Sequence, residues 1–417
     1  MDGTIVPQPD ALAKPRITSL IPPLILGTAT FNTQHVKDPL QMPYRQIVSR
    51  ALELGVNGFD TSPYYGPSET LLGDALAAHV ITHGTPRESY VLITKAGRIG
   101  PKEFDYSPEH VCRSVRRSLE RLHTSYLDLV YLHDAEFVTA EEVLEAVQAL
   151  RQLQAQGLIR HVGISGFPVD VLCSLAELVL AKTKVPLDVV LSYGHFTIQN
   201  HYLGPVDCAA TASRQSPLDR FKSAGVEVVV NASMLGMGLL TQTGIPTGEE
   251  AHSAPGRGAL IAKWHPSPPG LRLACRRLGA IAEAEGYRLE DVALRWSMEA
   301  YARVGAMAGV GVELPGSCGV SVGASVMGVT TIAELEQTVQ LWEQILRAHE
   351  VPQLGATLSF ADGNTGFGEG PIFRLVQEKM WPALAEWKGY AWASPEPGFR
   401  NERQATGDCG TTREVRL

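Results

Sequence analysis

Short apolar runs, each closed by one polar residue and separated by stretches of helical spacing, set the limits on what this chain can fold into. GVNGFDT (55–61) runs into Asp60, YVLITK (90–95) ends in Lys95, and LDLVYLH (127–133) ends in His133. The first run continues through a turn bearing Pro and Gly to Tyr65 and Gly66. Buried parallel strands read as near-continuous apolar runs, and residues at their C-terminal ends carry the chemistry. One polar residue after a core strand is ordinary. An acid, a phenol, an amine and an imidazole at successive strand ends point to proton transfer on a βα scaffold.

The alternation continues along the chain. LILGTAT (24–30) reads as the first strand, ending at Gly27 and Thr28, where backbone can approach a ligand. Ser68 reads as the N-cap of the second helix, Ser107–Pro108 as the start of the third, and Thr139 with Glu142 as a capping box. HVGIS (161–165), VVLSYGH (189–195) and EVVVNAS (227–233) read as strands five to seven, and an eighth lies within 319–328 before a helix over 332–348. Eight strands alternating with helices predict an α/β fold, a (β/α)8 TIM barrel. A doubly wound sheet is the rival, but no GxGxxG follows the first strand. Such a sheet also binds at one switch point and does not need polar residues at so many strand ends.

The barrel is expected over residues 21–350, with 1–20 a flexible N-terminal segment. Residues 241–269 read as a long loop or lid on the active face, and 303–320 as a Gly-rich insertion before strand eight. Residues 351–417 form a C-terminal extension, disordered from about 398, whose aromatics Phe373, Trp381, Trp387, Tyr390 and Trp392 pack over the barrel's mouth or base.

Composition narrows the function. The net charge is −8 and no Lys/Arg block stands out, which argues against a nucleic-acid partner. No apolar run approaches the roughly 20 residues that span a bilayer, and the first residues lack a signal-peptide pattern. The six cysteines (112, 173, 208, 275, 318, 409) are scattered, as reduced thiols of a cytoplasmic protein would be. The histidines show no metal-ligand spacing, so no metal is expected.

At this point the residues match a known family. Gly55-x-Asn57-x-x-Asp60-Thr61…Tyr65-Gly66, then Ser68-Glu69 and Gly73, resembles the first signature of the aldo-keto reductases. Lys95 and His133 complete that family's tetrad, and HVGIS resembles its strand-five motif. The resemblance spans about residues 24–350. It implies a nicotinamide cofactor bound without a Rossmann fold, and hydride transfer at a carbonyl carbon. The cofactor is expected on Gly27, Thr28, Ser165, Ser192, Ser233, Leu235, Gly236, Gly328, Thr330 and Glu334, and the substrate on Tyr64, His195 and Trp264.

Departures from the family are specific. The Asn usual after Ser165 is Gly166, the strand-six Gln is replaced at Val190, and the nicotinamide-stacking aromatic is Ala232. SYGHF (192–196), NASMLGMGLLT (231–241) and KWHPSP (263–268) resemble the branch of plant L-galactose and fungal D-arabinose 1-dehydrogenases. The expected function is therefore NAD-dependent oxidation of an aldose at C1 to the aldonolactone. Tyr65 is the expected base, its phenol lowered by Lys95; Asp60 holds Lys95, and His133 orients the substrate oxygen. A broad NADPH-dependent aldehyde or ketone reductase and a nicotinamide-binding regulatory subunit are the alternatives. NAD is favoured because residues 326–336, where the family binds the 2′-phosphate of NADP, contain no Lys or Arg and place Glu334 there instead.

Overall fold

In the computed structural model, the described residues are 14–204, 215–248, 250, 256–317, 319–348 and 370–405. Their centre is a closed barrel of eight parallel strands: β1 (Leu24–Gly27), β2 (Gly58–Asp60), β3 (Val91–Ala96), β4 (Leu127–His133), β5 (Ile159–Gly166), β6 (Val189–Tyr193), β7 (Val228–Ala232) and, last in sequence, β10 (Ala324–Gly328). β1 pairs with both β2 and β10, which closes the ring. All seven residues of β4 are buried, as expected of a strand with barrel interior on one face and helices on the other.

Helix starts follow local chemistry. The Ser107 hydroxyl accepts from His110 N with Pro108 at the first helical position, and Thr139 and Glu142 form a complete capping box. Ser68 differs from its reading. It is the first residue of the helix Ser68–His83, and its hydroxyl donates to Thr28 instead of capping, tying that helix to the end of β1. Gly73 lets the same helix approach its neighbour: a Cβ there would stand 2.0 Å from the Arg121 carbonyl oxygen.

The chain outside the barrel is more ordered than its composition suggests. Residues 14–20 are packed rather than flexible: Ile17 is buried, Lys14 pairs with Asp188 at 2.7 Å, and Pro15 O meets His161 Nε2 at 3.0 Å. Residues 1–13 of that expected segment lie outside the described residues. The 303–320 stretch is not one insertion. The helix Leu289–Met307 consumes its first five residues, and β8 (Val312–Glu313) then pairs antiparallel with β9 (Ser321–Val322).

The C-terminal extension closes over the mouth. Trp381 Nε1 donates to Ile198 O, Gln199 Nε2 donates to Trp387 O and Tyr390 O, and Trp392 stacks on Phe167 at 4.5 Å. Asn401, within the part read as disordered, is buried and bonds both backbone groups of Phe104. Residues 349–369 and 406–417, and cysteines 208, 318 and 409, lie outside the described residues, whereas Cys112, Cys173 and Cys275 are free thiols. No helix among the described residues is long and apolar enough to cross a membrane.

Two histidines, His195 and His265, are buried in the loops around the mouth, and a third, His35, stands half-buried on the cavity wall. His195 Nδ1 meets Tyr193 O at 3.1 Å, His265 Nε2 meets Gly236 O at 3.1 Å, and His35 packs edge-on against Trp264. Burial lowers each from 6.5 to about 4. Unfolded, they take up protons near pH 6.5, so stability is intact above that value and is lost as pH falls toward about 4. Thermal midpoints are expected to drop across this window, with a shallower drop in His195→Gln. A midpoint no lower at about pH 5 than at about pH 7 would contradict this account.

Candidate active site

The barrel brings the polar strand ends to one rim. Asp60 lies beside Gly27 across β1–β2, Lys95 beside Tyr131 across β3–β4, and His133 beside Ser165 across β4–β5. Asp60 and Lys95 are both buried, where an unpaired charge would cost several kcal/mol. They meet directly: Lys95 Nζ donates to Asp60 Oδ1 at 2.5 Å and to Thr61 O at 3.0 Å. Burial works against the ammonium, but Asp60 and Tyr65 outweigh it, and the Lys95 pKa lies above its ordinary value.

Tyr65 reaches this pair through a tight turn. Its amide donates to Ser62 O at 3.0 Å, the Tyr64 amide donates to Ser62 Oγ at 3.1 Å, and Gly66 takes a left-handed φ of 60°. Lys95 Nζ lies 5.0 Å from the Tyr65 ring centroid. Burial pushes the phenol up to about 12, and Lys95 only partly offsets it while Asp60 and Asp134 push the same way. This corrects the expectation of a lowered phenol: without other charges at the site, Tyr65 is protonated at neutral pH.

His133 stands perpendicular to Tyr65, ring centroids 5.6 Å apart. Ser62 Oγ engages Nδ1 at 2.9 Å, leaving Nε2 for a ligand. Burial, Lys95 and Arg98 hold its pKa well below 6.5, so the imidazole is neutral.

A cavity of about 920 Å3 opens above these four residues and runs to the helix Ile332–Ala348. That volume lies near the top of the usual range for small-molecule sites, about 300–1,000 Å3. Of the residues expected to hold cofactor or substrate, Gly27, Ser165, Ser233, Leu235, Gly328, Glu334, Tyr64 and Trp264 line it. Five do not, each for a structural reason. The Thr28 hydroxyl binds Asp60 O and Ser68. Ser192 is fully buried on the opposite strand face from Leu191 and Tyr193, which line the cavity. The Gly236 carbonyl is occupied by His265, and both the Thr330 amide and hydroxyl donate to Glu334. His195 packs on Phe167 at 4.3 Å, with Nδ1 on Tyr193 O.

The departures find physical partners. Leu191, register partner of Ser165, faces the cavity, so it and not Val190 lies at the strand-six position beside the ligand. Gly166 makes room for Glu136: a Cβ there would stand 2.3 Å from Glu136 Oε2. Glu136 Oε1 accepts from Phe167 N and Ser394 Oγ, and among the described residues Oε2 has no hydrogen-bond partner. Burial and the nearby Asp134 push the Glu136 carboxyl up to about 8. Ala232, in the aromatic's place, lines the cavity.

Other cavity residues carried no sequence signal or a weak one. Asp134 and Arg98 form an ion pair beside the tetrad, and Arg98 Nη2 donates to the Tyr64 hydroxyl at 3.1 Å. Asp134 directly follows a strand-end histidine and was legible as such; Arg98 sits three residues past Lys95 in a loop. Arg257, from the 241–269 segment, lies 3.5 Å from Glu334. Trp392 arrives from the C-terminal extension.

The residues present fit a nicotinamide dinucleotide. Ser233, Gly236, Met237 and Gly238 all have positive φ (58°, 55°, 54° and 105°). The Gly236 and Gly238 amides are spent within the turn, on Ser233 O and Leu235 O, and the turn offers a dinucleotide the wall formed by Ser233, Met234, Leu235, Met237 and Gly238. Ser165 Oγ donates to Leu132 O and keeps lone pairs for an amide donor.

A barrel rim holding a charged lysine–aspartate pair, a phenol and a neutral imidazole beside a dinucleotide-sized cavity defines an oxidoreductase working at a carbonyl–alcohol pair. The aldo/keto reductase family model matches residues 23–358, and the chain belongs to that family. It is 35% identical over 345 residues to the D-arabinose 1-dehydrogenase of Saccharomyces cerevisiae, covering 82% of this chain and 88% of that protein. It is 35% identical over 254 residues to the L-galactose dehydrogenase of Arabidopsis thaliana, covering 60% and 68%. The 6-dehydroglucose reductase of Novosphingobium aromaticivorans is 26% identical over 263 residues, covering 61% and 71%.

Tyr65→Phe is expected to lose about 10²- to 10⁴-fold in kcat while binding of the nicotinamide cofactor survives, with Tyr64→Phe as the control. A folded Tyr65→Phe enzyme with unchanged kcat would remove Tyr65 from the chemistry. Asp60→Asn and Lys95→Met are expected to lose activity non-additively, because both act on one phenol. The double variant is expected to be little worse than the weaker single; full additivity in free energy would separate their roles.

Proposed function

We propose that this chain is an NAD-dependent aldose 1-dehydrogenase, forming the aldonolactone. The reading rests on the region beside His133, where Arg98, Asp134, Tyr64 and Trp392 offer charged, hydroxyl and aromatic surfaces together. Sugars present an apolar carbon face and many hydroxyls, and such a mixed wall suits them. The names of the two 35%-identical relatives point the same way.

The residues divide the work. His133 Nε2 holds the oxygen on C1, and the Lys95–Asp60 pair fixes the electrostatics around Tyr65. The bound nicotinamide supplies the acceptor for the hydride leaving C1. The Lys95 ammonium, together with the positive charge of an oxidised nicotinamide, stabilises the Tyr65 phenolate that reacts; this phenolate takes the hydroxyl proton as the C1–O bond becomes a carbonyl and is left as the phenol. In the reverse direction Tyr65, held as a phenol, donates that proton.

NAD over NADP is supported by Glu334. Its carboxylate can accept a bond from a ribose 2′-hydroxyl and repels a 2′-phosphate. Arg257 is the observation that favours the NADPH-dependent reductase, since it brings a cation to the same end. Its pairing with Glu334 offsets that charge.

A panel of D- and L-aldoses with NAD+ and NADP+, followed at 340 nm, tests the proposal. Reduction of NAD+ by at least one aldose is expected; turnover only of aldehydes with NADPH would overturn it. Glu334→Arg is expected to shift the kcat/KM ratio about tenfold or more toward NADP+, about 1.4 kcal/mol or more. An unchanged ratio would place Glu334 away from the ribose.

A further inference from the structure

We propose that Asp134 and Arg98 together read the substrate hydroxyl on the carbon next to the reacting one, the C2 hydroxyl of an aldose. This rests on the aldose reading above and names the group that selects among aldoses.

Three observations converge. Asp134 Oδ2 lies 3.8 Å from His133 Nε2, and both residues line the cavity. A substrate oxygen held on Nε2 therefore places the oxygen of the adjacent carbon within reach of that carboxylate. Arg98 grips the same Oδ2 and is itself fixed, its guanidinium 3.8 Å above the Tyr64 ring and Nη2 on the Tyr64 hydroxyl at 3.1 Å. Its Nε donates to Gly100 O, so the guanidinium retains N–H donors for a ligand oxygen. The pair thus offers an acceptor and a donor side by side, the complement of a hydroxyl, which both donates and accepts.

The third observation is conformational. Asp134 has φ 57° and ψ 63°, the left-handed region that few non-glycine residues adopt and that Asp tolerates better than most. It opens the short turn Ala135–Phe137, yet its side chain makes no capping bond there. That backbone instead aims the carboxylate back over His133, where it pairs with Arg98 on the cavity wall. A left-handed turn that sets a buried charged pair beside the reacting position suits a ligand hydroxyl.

A site built to bond a substrate hydroxyl rejects the analogue lacking it by up to about 10⁴- to 10⁵-fold, because its buried polar groups are left unpaired. The test compares the aldose that the panel selects with its 2-deoxy analogue; for D-arabinose that analogue is 2-deoxy-D-ribose. The wild-type chain is expected to prefer the parent sugar by at least about 10²-fold in kcat/KM. Asp134→Asn and Arg98→Met are expected to lose most activity on the parent sugar and little on the deoxy sugar, so the preference falls below about tenfold. Melting temperature and NAD+ affinity serve as folding controls.

A pair that only oriented His133 or braced the loop would lower both sugars equally and leave the preference intact, which overturns the proposal. A wild-type preference near one overturns it without any variant, so a failure of the variants to fold does not protect it. If no aldose is oxidised, the functional reading falls and this assignment falls with it. If an aldose is oxidised without a 2-deoxy penalty, only this assignment falls.

Discussion

The buried contact between Lys95 and Asp60 is the interaction on which the site depends. Two opposite charges are withdrawn from water at the ends of β2 and β3, and only their close approach keeps either one ionised. The pair sets the field for its neighbours. Its lysine, together with burial and Arg98, keeps His133 neutral and sets a cation beside the Tyr65 ring. The barrel supplies what the pair requires: neighbouring parallel strands in fixed register, with Lys95 two residues past the partner of Asp60, so that residues far apart in sequence meet with little freedom to move apart.

The same burial explains why Tyr65 is harder to ionise than its sequence neighbourhood suggests. A lysine near a phenol implies a lowered pKa, and that sign is right for the lysine alone. The phenol's loss of water is larger, and Asp60 and Asp134 add negative charge. Desolvation is a property of the closed loops, including a C-terminal extension more than 300 residues away, and no local pattern in the sequence reports it.

What was legible in the sequence follows this division between strand and loop. The strands, their order and the four residues at their ends were readable because period, length and strand-end position are local properties. Ser165 and Gly328 were readable for the same reason, with help from the family resemblance. Ser192 and Val190 were misplaced by one step along β6, where parity exchanges cavity for core. His195 and Thr330 carry suitable chemistry but spend it on neighbouring groups. Arg257 and Trp392 reach the cavity from distant segments, and their arrival is a tertiary fact. The lead-in and the tail were read as loose from Pro and polar content, yet buried residues such as Ile17 and Asn401 anchor them.

Glu136 and Gly166 stand thirty positions apart and share one volume. A side chain added at 166 collides with the carboxyl, and shortening Glu136 alone leaves a void and strips partners from Phe167 N and Ser394. Neither change can be judged by itself, because the two positions share one space and their effects couple. The two positions therefore behave as a single heritable character. A side chain after Ser165 therefore enters this arrangement only as the Glu136 carboxyl swings aside or is shortened. A library that randomises one position at a time samples the two halves of that exchange separately.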